Sequence, residues 1–239
     1  MDFKDIRAYI TGGSKGIGYG IAQAMLEKGA KVAITSRSQD NADKAAKELK
    51  EKTKNEDVLA LEADVKNMKS QQQAIDVMKN QWGGVDVVIA NAGVGHFGSI
   101  EELTEEQWHD TIDTNLTGVF NTIKVSTEQL KQNKGFFITI SSLAGTNFFP
   151  GGAAYNASKF GLTGFTQAVM LDLRKYGIRT STIMPGSVAT YFNNHQPSEA
   201  DAWKIQIEDI GEMVVNMISL NPRTLPSKIE VRPSTPPSK

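Results

Sequence analysis

Tyr155 and Lys159 stand four residues apart in Tyr155-Asn156-Ala157-Ser158-Lys159, a stretch that reads as the start of a helix. With about 3.6 residues per turn, positions i and i+4 share a helix face, so a phenol and an ammonium can point into one space. Ser142 precedes Tyr155 by 13 residues and follows the apolar run Phe136–Ile140, which reads as a buried strand. Ligands gather at the carboxyl ends of strands in open α/β sheets. A hydroxyl, a phenol and a cation converging there form a site for moving a proton.

A second constellation opens the chain. Thr11-Gly12-Gly13-Ser14-Lys15-Gly16-Ile17-Gly18 follows a short apolar strand, Ala8–Ile10, and leads into a helix over Ile17–Lys28. Glycines in a first strand-to-helix turn let the backbone approach a pyrophosphate, while free N–H groups and the helix dipole attract its charge. The spacing Gly-x-x-x-Gly-x-Gly has no Gly-Lys-Ser/Thr ending, which points to a dinucleotide and away from an NTPase. The residues after the second strand bear on which dinucleotide. NAD enzymes usually place a carboxylate about 20 residues past the loop to hold the ribose 2′-OH. Here Ser36 and Arg37 occupy that place. They suit a 2′-phosphate through charge-assisted bonds, and Lys15 adds a second cation. NADP(H) is therefore expected over NAD(H), with Asp40 the carboxylate that a register slip would bring nearer.

Strand-length apolar runs and helix-length amphipathic stretches alternate along the chain and must carry these groups. Strands are expected at Lys31–Ser36, Val58–Leu61, Val85–Ala90, Ile178–Met184 and Ile229–Val231, besides the two above. Helices are expected at Asn41–Lys54, Ser70–Trp82, Tyr155–Tyr176 and Ile207–Ser219, with one long helix over Thr104–Leu130 capped by Thr104. Such alternation predicts an α/β fold, a parallel sheet of about seven strands with helices on both faces in three layers. One domain over residues 1–231 is expected, followed by a flexible, proline-rich tail over 232–239.

The 239 residues suffice for one substantial core. A net charge of −1 supplies no excess of cations for nucleic acid or a membrane surface, and without cysteine there are no disulfides, thiolate metal sites or cysteine nucleophiles. No signal peptide or run of about 18 apolar residues is present, so a cytoplasmic protein is expected.

These residues resemble the short-chain dehydrogenase/reductase family through the Thr11–Gly18 loop, Asp64-Val65, Asn91-Ala92-Gly93, Asn115, Ser142, Tyr155-x-x-x-Lys159 and Pro185-Gly186. The resemblance implies a Rossmann-type, doubly wound fold and hydride transfer between NADP(H) and a small carbonyl or alcohol. Tyr155 is then the general acid–base, its high phenol pKa lowered by Lys159 and the cofactor's positive ring. Ser142 holds the substrate oxygen, Lys159 also holds the nicotinamide ribose, and Asn115 anchors a water for proton relay. The glycine loop (Gly12, Ser14, Lys15, Gly16, Ile17, Gly18) with Ser36 and Arg37 takes the phosphates. Asp64 and Val65 contact the adenine, Asn91, Ala92 and Gly93 the ribose and backbone, and Pro185, Gly186, Val188 and Thr190 the nicotinamide end. A short lid over residues 187–206 covers the substrate. Its Ser187, Tyr191, Phe192 and Trp203, with Val94, His96, Leu143 and Phe149 from other loops, wall a mostly apolar pocket.

Alternatives stay open: an NAD-dependent alcohol or sugar dehydrogenase, a sugar epimerase of the extended type, or a non-catalytic NADP-binding regulator. Only 53 residues follow Gly186, little room for a sugar-nucleotide domain. His96, His109 and His195 show no metal-ligand spacing and no matching Asp or Glu pattern, and no metal is expected. Gly161, Gly164 and Ala168 permit close helix approach, and the family implies a homodimer or homotetramer.

Overall fold

The computed structural model describes residues 2–235, so the end of the expected tail, residues 236–239, lies outside the described residues. Seven parallel strands form one sheet in the order β3-β2-β1-β4-β5-β6-β7. They are β1 (Arg7–Ile10), β2 (Lys31–Ser36), β3 (Val58–Glu62), β4 (Val87–Ala90), β5 (Phe136–Ile140), β6 (Arg179–Pro185) and β7 (Lys228–Val231). The helices are α1 (Gly16–Glu27), α2 (Gln39–Thr53), α3 (Met68–Trp82), α4 (Glu105–Ile112), α5 (Gly118–Asn133), α6 (Ala153–Leu173) and α7 (Ile207–Ser219). None of these helices is long and apolar enough to cross a membrane.

Side chains alternate across a strand, so each strand feeds two cores. Ile10, Ile34, Ile89, Phe136 and Ile138 pack with α1, α2 and α7 on one face. Tyr9, Ala33, Val88, Ala90 and Phe137 pack with α3, α5 and α6 on the other. Nearly continuous apolar strands are what two covered faces require. Phe137 is fully buried, and its truncation to alanine would cost about 3–5 kcal/mol in lost packing.

The long helix expected over Thr104–Leu130 is instead interrupted. Thr104 caps α4 in a reciprocal pair with Gln107. A π turn, Asp113–Thr117, then joins α4 to α5, with the Gly118 N–H donating to the Asp113 carbonyl. The extra residue shifts the helix phase by about 100°, but the segments on both sides each keep helical spacing and read together as one helix; π turns recur at functional sites. Asn115 sits inside this one. Smaller shifts follow from capping: Asn67 accepts from the Lys69 and Ser70 amides and starts α3 at Met68. Helix α6 begins two residues before Tyr155 and ends at Leu173, a single 3-10 turn continuing to Tyr176.

Strand order reverses between β1 and β4, whose neighbours β2 and β5 run outward to either side. The connections diverge there and leave a crevice above the strands' carboxyl ends. Residues 187–206 fold back over it as two short 3-10 turns, fastened to themselves by the bridge between Val188 and Ile205.

Candidate active site

One cleft runs above the sheet and gathers most of the singled-out residues. Gly12, Ser14, Lys15, Gly16 and Ile17 line it over α1, with Ser36 and Arg37 beyond them. Asp64 and Val65 face these from β3, and Asn91, Ala92 and Gly93 cross the middle. Ser142, Tyr155, Lys159, Pro185 and Gly186 form the far end, under Ser187, Val188, Thr190, Tyr191 and Phe192.

The glycine loop is shaped by close packing. Gly12 has φ +64°, and a Cβ there would lie 2.9 Å from the Ala92 Cα. Gly18 does not line the cleft; a Cβ on it would lie 2.6 Å from the Gly12 carbonyl oxygen. Asn91 holds the loop by donating from Nδ2 to the Thr11 and Gly12 carbonyls, both at 3.0 Å. Lys15, at the N-cap of α1, makes no side-chain capping bond. The first-turn amides therefore keep the donors that a helix start leaves unused, the arrangement that receives a phosphate.

At the β2 end the cleft is cationic. Ser36 pairs with Glu62 at the end of the sheet, so the register places Arg37 just beyond it. Asp40 lies exposed in the first turn of α2 and does not line the cleft. Asn41, Lys44, Ala45 and Glu48 do line it. Their i, i+3, i+4, i+7 spacing is one helix face, a signal that could have added Lys44 to the cations.

At the other end lies the proton-moving group. Lys159 is buried, and its Nζ donates to the Ile140 carbonyl at 3.0 Å. The same Nζ lies 5.7 Å from the Tyr155 ring centroid. Burial lowers the ammonium to a pKa of about 8, because a low-dielectric site disfavours its charge. Burial also pushes the Tyr155 phenol up, and the neighbouring Ser142 hydroxyl partly offsets this. Ser142 Oγ accepts from the Ala144 amide at 3.1 Å and reaches the Pro185 carbonyl only at 3.5 Å. A bond that long barely engages the hydroxyl proton, which can turn toward a ligand. Ser141 points elsewhere, its Oγ 3.1 Å from Thr163 Oγ1 on α6.

Asn115 does not line the cleft. Its Oδ1 accepts from the Val94 amide at 2.8 Å, and its Nδ2 donates to the Val94 carbonyl at 2.8 Å and to Ser158 Oγ at 3.0 Å. The side chain is thus spent on fixing the loop after β4 against α6, and no amide hydrogen remains for a water. Neither Leu143 nor Phe149 lines the cleft itself: Leu143 lies beside Gly186, and Phe149 packs on Phe97 with ring centroids 6.0 Å apart. Trp203 is not brought to the cleft; its ring centroid lies 5.8 Å from Lys204 Nζ, and Lys204 takes the place on the wall.

The histidines correct the expectation that they lack acidic partners. His96 Nε2 lies 2.9 Å from Asp110 Oδ2, whose other oxygen is 3.0 Å from Lys66 Nζ. His195 Nε2 lies 2.7 Å from Asp201 Oδ2, and Lys204 Nζ 2.6 Å from Oδ1. Both pairs span loop or helix ends far from any short motif. His109 is exposed and reaches Glu105 only at 3.7 Å.

Comparison with known proteins accounts for this arrangement. Residues 7–201 match the family described as short chain dehydrogenase. A 3-oxoacyl-(acyl-carrier-protein) reductase FabG of Staphylococcus epidermidis is 35% identical over 189 residues, 78% of this chain and 77% of that protein. The protein of the same name from Vibrio cholerae is 33% identical over 191 residues, 80% of this chain and 76% of that one. Among solved structures, an alcohol dehydrogenase from the archaeon Thermococcus sibiricus, complexed with 5-hydroxy-NADP, superposes with a TM-score of 0.90. It is 30% identical, and the match covers 98% of this chain and 99% of that one. A metagenomic short-chain oxidoreductase in complex with NADP gives a TM-score of 0.85 at 28% identity, covering 99% and 100% of the two chains. The chain belongs to the short-chain dehydrogenase/reductase family of oxidoreductases, which work with a nicotinamide cofactor.

Proposed function

We propose that this protein interconverts a small carbonyl compound and its alcohol with NADP(H), and that Tyr155 is the general acid–base. The observation that carries the reading is the pairing of opposite chemistries in one cleft: Arg37, Lys15 and Lys44 at the β2 end, and Ser142, Tyr155 and Lys159 at the β5 end. The cleft suits the dinucleotide. Its glycine loop presents free backbone amides to a pyrophosphate, and Arg37 supplies a planar donor for a 2′-phosphate.

A reduced nicotinamide bound between these ends would supply the hydride equivalent for a carbonyl carbon. The protein's own part is the proton. Burial keeps the Tyr155 phenol protonated at neutral pH, the state needed to give its proton to the developing alkoxide. Ser142 donates its hydroxyl proton as a hydrogen bond to the same oxygen and stabilises its charge. Lys159, charged below about pH 8, favours the phenolate that Tyr155 becomes. Asn115 holds Val94 and Ser158 in place, a positioning part. Seen this way, Gly18 and Asn91 shape the loop instead of touching the cofactor's charge.

The test is loss of NADPH absorbance in the presence of ketones, 3-oxoacyl thioesters, diketones and pteridines, with NADH in parallel. Turnover of at least one carbonyl, faster with NADPH, is expected; no turnover with any of them overturns the reading. We further propose a homodimer or homotetramer built on α5 and α6. Phe160 and Phe120 are each 43% exposed, and Gly164 leaves open space on the face of α6 that also carries Leu171. Light scattering at a monomer mass would refute it.

A further inference from the structure

Two phenylalanines from separate loops pack against the Tyr155 ring, and a third, from another loop, packs on one of them. Phe97, after β4, meets it edge-on with centroids 5.3 Å apart, and Phe192, from the lid, lies 5.7 Å away. Phe97 and Phe192 are 6.3 Å from each other, and Phe149, before α6, is 6.0 Å from Phe97. The surroundings are fitted to these rings. A Cβ on Gly95 would lie 2.6 Å from Phe192 Cζ and 2.9 Å from Phe97 Cε2, and one on Gly152 would lie 2.7 Å from Phe149 Cε2. Asn156, next to Tyr155, ties down the loop carrying Phe149 by donating to the Ala144 and Asn147 carbonyls, each at 2.8 Å.

Yet the rings are not buried by one another. Phe97, Phe149 and Phe192 remain 42%, 43% and 37% exposed. Phe192 lines the cleft, and Phe97 and Phe149 continue its apolar surface outward; large apolar groups gathered but left open mark a binding wall. The surface extends outward through Phe148 and Ile100, on loops joined by the Gly98 amide donating to the Gly151 carbonyl. The charged groups nearby are compensated in place. Asp110 is bracketed by His96 and Lys66, and Asp201 by His195 and Lys204. Of the remaining cations, Lys159 is buried beside Tyr155 and donates to the Ile140 carbonyl, and Lys15, Arg37 and Lys44 belong to the opposite end of the cleft.

We propose that the substrate is an uncharged carbonyl compound with a bulky apolar, preferably aromatic, group on the carbonyl carbon, and that Phe97, Phe149 and Phe192 set this preference. The proposal rests on the carbonyl-reducing reading above. A flat ring can meet the exposed edges and faces of these side chains, as aromatic pairs prefer. A carboxylate carried into the same wall would lose its hydration without gaining a partner.

The test compares kcat/KM with NADPH for benzaldehyde, acetaldehyde and 4-carboxybenzaldehyde, in the whole protein and in the Phe97→Leu, Phe149→Leu and Phe192→Leu variants. Benzaldehyde should exceed each of the others by about 30-fold or more, and each variant should narrow the benzaldehyde-to-acetaldehyde ratio by about 5-fold, chiefly through KM. Three independent variants guard against one that does not fold. Equal rates for the three aldehydes, or ratios that no folded variant changes, overturn the proposal while leaving carbonyl reduction standing. Turnover confined to 3-oxoacyl thioesters does the same. A protein that reduces no carbonyl at all fails the earlier reading, and this one falls with it.

Discussion

The two ends of the cleft differ in material and in how the chain makes them. At the β2 end the groups are backbone amides and three cations, supplied by one turn, one strand end and one face of α2. At the β5 end they are a phenol, a hydroxyl and phenylalanine rings drawn from three loops and α6. Fixed charge and free amides select a ligand group common to many proteins, and they need only short segments to do it. Apolar contact selects by shape, which requires walls from several directions. The first end is local in sequence, and the second is assembled.

Replacing Tyr155 by Phe strikes the assembled end hardest. Turnover should drop at least ~100-fold with NADPH affinity nearly unchanged, since acid–base groups contribute on that scale. Retained turnover would remove the phenol from the mechanism. Arg37→Asp strikes the local end instead. The NADPH dissociation constant should rise about 50-fold and that of NADH by less than about 3-fold, because a charge-assisted bond is lost and a repulsion added. Equal losses for both cofactors would show that the cationic end does not read a 2′-phosphate.

Lys159 offers a pH handle on the reaction end. Its ammonium is neutralised as pH rises through about 8, so kcat/KM for reduction should fall about 10-fold between pH 8 and 9.5. A flat profile there would separate Lys159 from the proton step. The same shift sets a stability effect of defined sign. The folded pKa of about 8 lies below the ordinary 10.5, so the unfolded chain binds the proton more tightly. Burying the charged form therefore costs stability at neutral pH, and stability rises between those two values. Lys159→Met should abolish turnover yet raise Tm at pH 7 by a few degrees, read by calorimetry without cofactor.

The smallest effect is expected in the lid. Lys204, then His195, hold the Asp201 carboxyl well below its ordinary value. Its contribution is therefore present at neutral pH and lost only as pH falls below the ordinary carboxylate range. Asp201→Asn should speed tryptic cleavage after Lys204 and raise KM for the carbonyl substrate about 3-fold, with turnover little changed. Unchanged proteolysis would show that the cluster does not fasten the lid.

Particular residues show how far sequence reasoning reached. The alternation of runs predicted the parallel sheet and helices on both faces, and the structure has seven parallel strands so arranged. Ser142, Tyr155 and Lys159 were singled out by spacing along one strand and one helix, and they meet because the strand ends and the helix begins at the same crevice. Phe97 was missed. It lies 58 positions from Tyr155 along the chain, and an isolated phenylalanine in a loop carries no periodic signal. Trp203 was expected on the wall, but which of two neighbouring lid residues faces inward depends on the bridge between Val188 and Ile205. The acidic partners of His96 and His195 were missed for the same reason: ion pairs between loops and helix ends follow no fixed spacing.

By itself the sequence determined the layer order, the turn that suits a pyrophosphate, the cations beyond β2 and the phenol–ammonium pair on one helix face. Each depends on hydrogen-bond periodicity or on neighbours within about two turns, which the order of residues already encodes. Only the tertiary structure decided the π turn at Asn115, the commitment of its side chain to Val94, and the packing of Phe97 and Phe192 on Tyr155. These arise where loops distant in sequence are forced together by packing of the sheet and its helices, and contact across such distances has no local signature.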